Sequence, residues 1–225
     1  MNIRSRPTIN SEYIYHDLLE KIIALEYKPG EGISENELCE RYGTTRHNVR
    51  GALAVLKEKG LVEVIPQKGT YVSLIDLKMI DDILFLRSAV EQETLHTLFK
   101  KGIAPDLIEQ LRTCLNKQLA VKHTRENAEE FYKLDDEFHQ ILMDAAGRGT
   151  VRHLYEDAYL HVRRWRNMEV GVQERITHLP EEHQKIIEAI ERHNETEAHK
   201  CMVSHIDSVN LFGDELKSQY PQYFA

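Results

Sequence analysis

From residue 76 onward, apolar residues recur every three or four positions and nowhere alternate as they would in a strand. That rhythm restricts this part of the chain to helices. Helical stretches are expected over about 76–100, 105–121, 126–146, 150–168, 172–193 and 195–217, punctuated by Gly102-Ile103-Ala104-Pro105 and Gly147-Arg148-Gly149. Amphipathic helices joined by short connections bury their apolar stripes against one another. The expectation is an antiparallel all-α bundle over 76–225, a fold that builds ligand sites between facing helices.

Residues 1–75 follow another pattern. Ile14, Leu18, Ile22 and Leu25 recur at helical spacing over 11–26, and Pro29-Gly30 ends that helix. Ser34, with Glu37 three residues later, has the form of a capping box and opens a second helix that Gly43 stops. "TTRHNVRGALAVLKEKG" is a third helix, with Val49, Ala52, Leu53 and Leu56 on one face and Gly60 at its end. "LVEVI", "PQKG" and "TYVSL" then read as two short strands around a tight turn. Three helices and a hairpin in this order make a winged helix-turn-helix, so the chain as a whole is mainly α with two domains.

A net charge of −8 argues superficially against nucleic acid. Residues 1–75, however, carry as many basic as acidic side chains, so the whole deficit lies after them. Within the neutral module, 41–57 holds Arg41, Arg46, Arg50 and Lys57 and no acid. The second helix of a helix-turn-helix meets base edges with its N-terminal residues, which here are Thr44, Thr45, Arg46, His47 and Arg50. Arg46 and Arg50 share a face opposite the core leucines, and arginine grips guanine or phosphate with two bonds. Gln67 and Lys68 stand at the hairpin tip, placed for the backbone or the minor groove. Taken singly these arginines would be solvated surface; the helix-turn-helix-wing order around them points to double-stranded DNA.

The helical domain poses a different question. In "YKLDDEFHQIL", Asp135 and His139 lie at the edge of an apolar face made by Phe131, Leu134, Phe138, Ile141, Leu142 and Ala145. His183 falls at the centre of the Leu179, Ile186, Ile187, Ile190 face, and His205 at the centre of the Ala198, Cys201, Met202, Val209, Phe212 face. Buried charge is costly unless it is paired or holds a metal. A lone inward histidine is ordinarily a core residue bonded to a neighbour. One acid and three histidines directed inward from three helices instead suit a divalent cation: zinc first, with nickel, manganese or iron as alternatives. Arg87 sits at the centre of the inner stripe of 76–100 and needs an anion. Glu91, one turn on, is the plain partner, and a ligand carboxylate beside the metal is the functional one. Arg163, Arg164 and Arg166 scatter in helical phase and are expected mostly at the surface, whereas Trp165 faces the core.

Cys39, Cys114 and Cys201 are odd in number and widely spaced, as free thiols of a reducing cytoplasm would be. The opening "MNIRSRPTINSEY" lacks the apolar core of a signal peptide, and no apolar run is long enough for a membrane span. A cytoplasmic location with no membrane contact is expected.

The stretch "YKPGEGISENELCERYGTTRHNVRGALAVLKEKGLVEVIPQKGTYV" resembles the DNA-binding domain of the GntR family of bacterial transcription regulators. The resemblance is carried by Pro29-Gly30, Ser34-Glu35, Arg46, Val49-Arg50, Leu53, Leu56, Gly60-Leu61-Val62 and Gly69-Thr70-Tyr71-Val72. Asn36 stands where many members have a basic residue, and Gly51 where they often have Glu. "LRSAVEQETL", "DDEFHQILMDAAG" and "EEHQKIIEAIERHNETEAHKCMVSHI" are similar to the FCD effector domain of the FadR-like branch. That resemblance implies a metal held by Asp135, His139, His183 and His205, the four residues that helical phase selects independently. It further implies a small carboxylate effector (a sugar acid or organic acid) held with Arg87, a homodimer, a palindromic operator and repression.

The resulting expectation is a ligand-responsive regulator rather than an enzyme. Two alternatives stand beside it: a metal-dependent enzyme acting on a small carboxylate, and a DNA-binding regulator whose metal or polar core is purely structural.

Overall fold

A computed structural model describes residues 9–122, 124, 127–170, 177–210 and 213–225. The chain divides into two compact units, Met1–Asp76 with Gln219–Ala225, and Leu77–Ser218.

In the first unit α1 (Ser11–Ile23) packs on α3 (Arg46–Glu58), with α2 (Glu35–Tyr42) beside α3. Their core is Ile14, Leu18, Ile22, Leu38, Val49, Ala52 and Leu56, all essentially inaccessible. Asn10 caps α1 by accepting from the amide of Tyr13, and Ser34 Oγ accepts from the amide of Glu37, as the capping-box pattern predicts. Gly43 closes α2 in the left-handed conformation. Helix α1 ends at Ile23, short of the expected 26, because Leu25 takes a left-handed φ of 60°. A Cβ on Gly51 would stand 2.7 Å from Ser11 Oγ, so the close approach of α1 accounts for glycine at this position.

The wing has one strand more than expected. β2 (Val62–Ile65) and β3 (Gly69–Val72) form the hairpin, and β1 (Gly32–Ile33) pairs with the outer side of β3, giving the antiparallel order β1-β3-β2. A two-residue strand is too short to show alternation. After the wing, Ile75 forms a parallel bridge with Phe224. Its amide donates to Tyr223 O at 2.8 Å, and the Ala225 amide donates to Ile75 O at 3.0 Å. Phe224 is buried. The last residues thus return to the first unit, a pairing that no local pattern announces.

The second unit contains α4 (Leu77–Lys101), α5 (Pro105–Ala120), α6 (Ala128–Ala145), α7 (Glu156–Val170), α8 (Leu179–Glu191), α9 (Glu195–Asp207) and α10 (Gly213–Gln219). Helix α4 packs against α6, α7 and α9, α5 against α6 and α8, and α8 against α9. The stretch expected as one helix over 150–168 begins as a 3₁₀ segment, Gly149–Leu154, before α7. Of the expected 172–193, residues 172–176 lie outside the described residues, and α8 starts at Leu179 with Pro180 in its first turn. The expected 195–217 breaks after Asp207: Ser208 Oγ donates to His205 O at 2.6 Å, competing with the helix ladder, and a 3₁₀ turn follows. Phe212 lies outside the described residues. Among the described residues no helix is long and apolar enough to cross a membrane.

Candidate metal centre and nucleic-acid interface

Asp135 and His139 leave α6 one turn apart, His183 leaves α8 and His205 leaves α9. All four are buried. One ligand atom from each lies within 4.8 Å of the others. The Nε2 atoms of His139 and His205 are 3.1 Å apart, and those of His183 and His205 3.3 Å. Asp135 Oδ1 is 3.5 Å from His183 Nε2 and 3.9 Å from His205 Nε2. Tetrahedral ligands about 2.1 Å from an ion stand roughly 3.4 Å from one another, close to this spacing.

The outer ring nitrogens show which inner atoms are bare. His139 Nδ1 meets Glu91 Oε2, His183 Nδ1 meets Gln118 Oε1 at 2.7 Å, and His205 Nδ1 meets Glu182 Oε2 at 2.8 Å. Gln118 is oriented by its own amide, which donates to Leu134 O at 3.0 Å. Each Nδ1 therefore carries its proton outward, and in the neutral ring each Nε2 turns a lone pair inward. Asp135 Oδ1 has no hydrogen-bond partner among the described residues. Three lone pairs and a carboxylate oxygen cannot satisfy one another, and a cation can satisfy all four. The residues present fit a divalent metal.

The charges agree. Burial lowers the His183 and His205 imidazoles well below their ordinary value, reinforced by the neighbouring rings, so they stay neutral and able to ligate. Burial alone would raise the Asp135 carboxyl, but the Arg166 guanidinium bonded to it holds it well below the usual range. The same competition, won by His139 and Arg87 over burial, keeps Glu91 ionised.

Arg87 projects from α4 beside the centre. Its Nε donates to Glu91 Oε1 at 2.6 Å and its Nη1 to the Tyr159 hydroxyl at 2.5 Å, while Nη2 has no partner among the described residues. Glu91 is thus the partner of Arg87 and also the outer support of His139. The expectation that Arg164 and Arg166 lie mostly at the surface is overturned: both are buried, in a helix enclosed on nearly all sides. Arg166 Nη1 donates to Asp135 Oδ2 at 2.8 Å and approaches the Tyr159 hydroxyl at 3.3 Å. Trp165 is fully buried and its indole donates to Val209 O.

In the first unit Thr45, Arg46, His47 and Arg50 are exposed on the N-terminal half of α3. Arg46 donates to Asn36 Oδ1 at 2.8 Å, and Arg50 pairs with Glu35 at 3.0 Å. Thr44 instead ties down the chain ahead of α1. Its hydroxyl donates to Ile9 O and accepts from Asn48, which itself also donates to Ile9 O. Asn48 was not singled out by the sequence pattern. Gln67 and Lys68 are exposed at the wing tip. Gln67 holds a left-handed φ of 63°, a turn position that ordinarily favours glycine or asparagine.

Two family models match the chain. The one described as "Bacterial regulatory proteins, gntR family" covers residues 10–72, and the one described as "FCD domain" covers 82–208. An HTH-type transcriptional regulator of an unstable DNA locus in Streptomyces ambofaciens is 33% identical over 218 residues, 96% of this chain and 90% of that protein. The HTH-type transcriptional repressor RspR of Escherichia coli K12 is 26% identical over 216 residues, covering 96% and 93%. The crystal structure of a putative GntR transcriptional regulator from Rhodococcus sp. RHA1 has the same fold, with a TM-score of 0.66 at 17% identity over 96% of this chain and 99% of that one.

Proposed function

This chain belongs to the GntR family of bacterial transcription regulators and carries an FCD domain, and from that premise we propose that it is a dimeric, metal-containing repressor released from a palindromic operator by a small carboxylate. It is a regulator and not an enzyme, so the metal-enzyme alternative is set aside. The observation that carries the reading is the convergence of Asp135, His139, His183 and His205, with Arg87 joined to His139 through Glu91.

The four ligands would hold zinc, nickel, manganese or iron. An ion of this group would accept a further oxygen ligand beside these four, which is where an effector carboxylate would bind. The metal supplies a fixed positive charge to that carboxylate. Arg87 orients it, and Glu91 keeps Arg87 and His139 in one register. In the dimer, two α3 helices would read half-sites about one helical turn apart, with Arg46 and Arg50 leaving Asn36 and Glu35 to meet bases or phosphates. The effector can shift this equilibrium only by its preference for one helix arrangement, about 1.4 kcal/mol for each tenfold change in operator affinity.

The test is a gel shift on the DNA upstream of the chain's own gene, with metal-loaded and metal-stripped protein and a panel of hydroxy acids and sugar acids. The reading expects salt-sensitive binding that an acid weakens only when metal is present. Binding unaffected by any acid or by metal would leave a DNA-binding protein with a structural centre.

A further inference from the structure

The carboxylate reading uses one arginine, but two buried arginines meet beside the cluster. Arg87 on α4 and Arg166 on α7 both donate through Nη1 to the same hydroxyl, that of Tyr159, at 2.5 and 3.3 Å. All three side chains are almost wholly inaccessible. On each guanidinium the second terminal nitrogen, Nη2, is buried and has no hydrogen-bond partner among the described residues. Two charged donors left unmatched in a low-dielectric interior are costly unless a ligand completes them.

The carboxylates in contact with them are committed elsewhere. Glu91 divides its two oxygens between Arg87 and His139, and Asp135 divides its own between Arg166 and the histidine cluster. With a divalent ion among neutral histidines, two guanidiniums and the ion face two carboxylates, which leaves two positive charges. Glu182 lies outside His205 and is partly exposed, so water screens much of its charge. A monocarboxylate would balance only half of the surplus.

Building on the carboxylate-effector reading, we infer that the effector is a small dicarboxylate, with one acid group between the metal and Arg87 and the second on Nη2 of Arg166. Both guanidiniums reach one hydroxyl, so a single phosphoryl group would carry the same two charges, and inorganic phosphate is the control that separates it from two acid groups. Arg166 is then the residue that distinguishes diacids from monoacids, and its bond to Asp135 ties that recognition to a metal ligand.

The experiment is calorimetric titration of the full-length, metal-loaded protein at fixed ionic strength. The probes are length-matched pairs, propionate with malonate and butyrate with succinate, together with inorganic phosphate. Each diacid should bind about tenfold or more tightly than its monoacid, the scale of one charge-assisted hydrogen bond. Arg166→Lys, which keeps the charge beside Asp135 but loses the fork, should reduce the diacid-to-monoacid ratio to a few-fold; metal content is measured on the same sample, and any change at Asp135 shifts both acids together and leaves the ratio as the readout. Equal affinity for mono- and diacids in the wild-type protein overturns the dicarboxylate inference and leaves the carboxylate reading in place. So does phosphate binding more tightly than either diacid, or a diacid preference that Arg166→Lys leaves intact. If no acid of any kind binds, the carboxylate-effector reading itself falls.

Discussion

Glu91 supports His139 with one carboxylate oxygen while its other oxygen accepts from Arg87. A glutamine at this position has one accepting oxygen and cannot serve both. Glu91→Gln should therefore weaken metal binding by about 10- to 100-fold, the usual consequence of losing an outer-shell partner. Competition with a chromophoric chelator measures it, and unchanged affinity would show that Glu91 does not tune the centre.

Elemental analysis of untagged protein purified without chelator should find close to one divalent ion per chain, much reduced in His183→Ala. An ion held only by the folded chain stabilises it, so stripping the metal should lower the melting temperature, and adding it back should restore it. A wild-type protein that takes up no divalent ion would leave a polar histidine core and remove the metal.

Protons should compete with that ion. In the folded metal-free chain His183 and His205 have depressed affinities for protons, whereas in the unfolded chain they titrate near 6.5. The unfolded state then binds more protons as pH falls below about 6.5, so the stability these neutral histidines contribute is present above that value and lost towards acid. Thermal melts of metal-free protein from pH 7.5 to 5.5 should fall steadily, and the fall should be shallower in His183→Leu.

Arg46 is exposed and makes one bond to Asn36. Arg46→Ala should leave the melting temperature within a degree or so while weakening operator binding by about tenfold or more. If the lost contact is to phosphate, the salt dependence should also flatten by about one unit of log–log slope. Retained affinity would take Arg46 out of the interface.

Phe224 is buried and its backbone is bridged to Ile75. Phe224→Ala should destabilise the protein by about 3 kcal/mol through lost burial and a residual cavity, read as a shifted denaturant midpoint. A change below ~1 kcal/mol would mean that the tail contributes little.

That Asp135, His139, His183 and His205 are buried was legible because helical periodicity turns them inward whatever the tertiary details. Gln118, Glu182 and Tyr159 were not singled out because each depends on which helix packs opposite. A polar residue on an inner face gives no sign of its partner until α5 meets α8 and α4 meets α7. Arg166 was misplaced for a related reason: phase separates inside from outside only where a helix has an outside, and α7 is enclosed nearly all round. In the first unit the capping box and the glycine stops were local signals and sufficed for α2 and α3. Strand β1, two residues long, and the return of Phe224 to Ile75 are long-range pairings that carry no local period.

Since residues after Ser218 complete the unit that begins the chain, the helical domain is topologically an insertion, entered after Asp76 and left before Gln219. A single cut at Asp76 would therefore sever the Ile75–Phe224 pairing from its covalent frame and would not release an intact DNA-reading module. Dissecting the two activities calls for excising 77–218 and joining the flanking segments, as is done for a guest domain within a host, rather than truncating at one end.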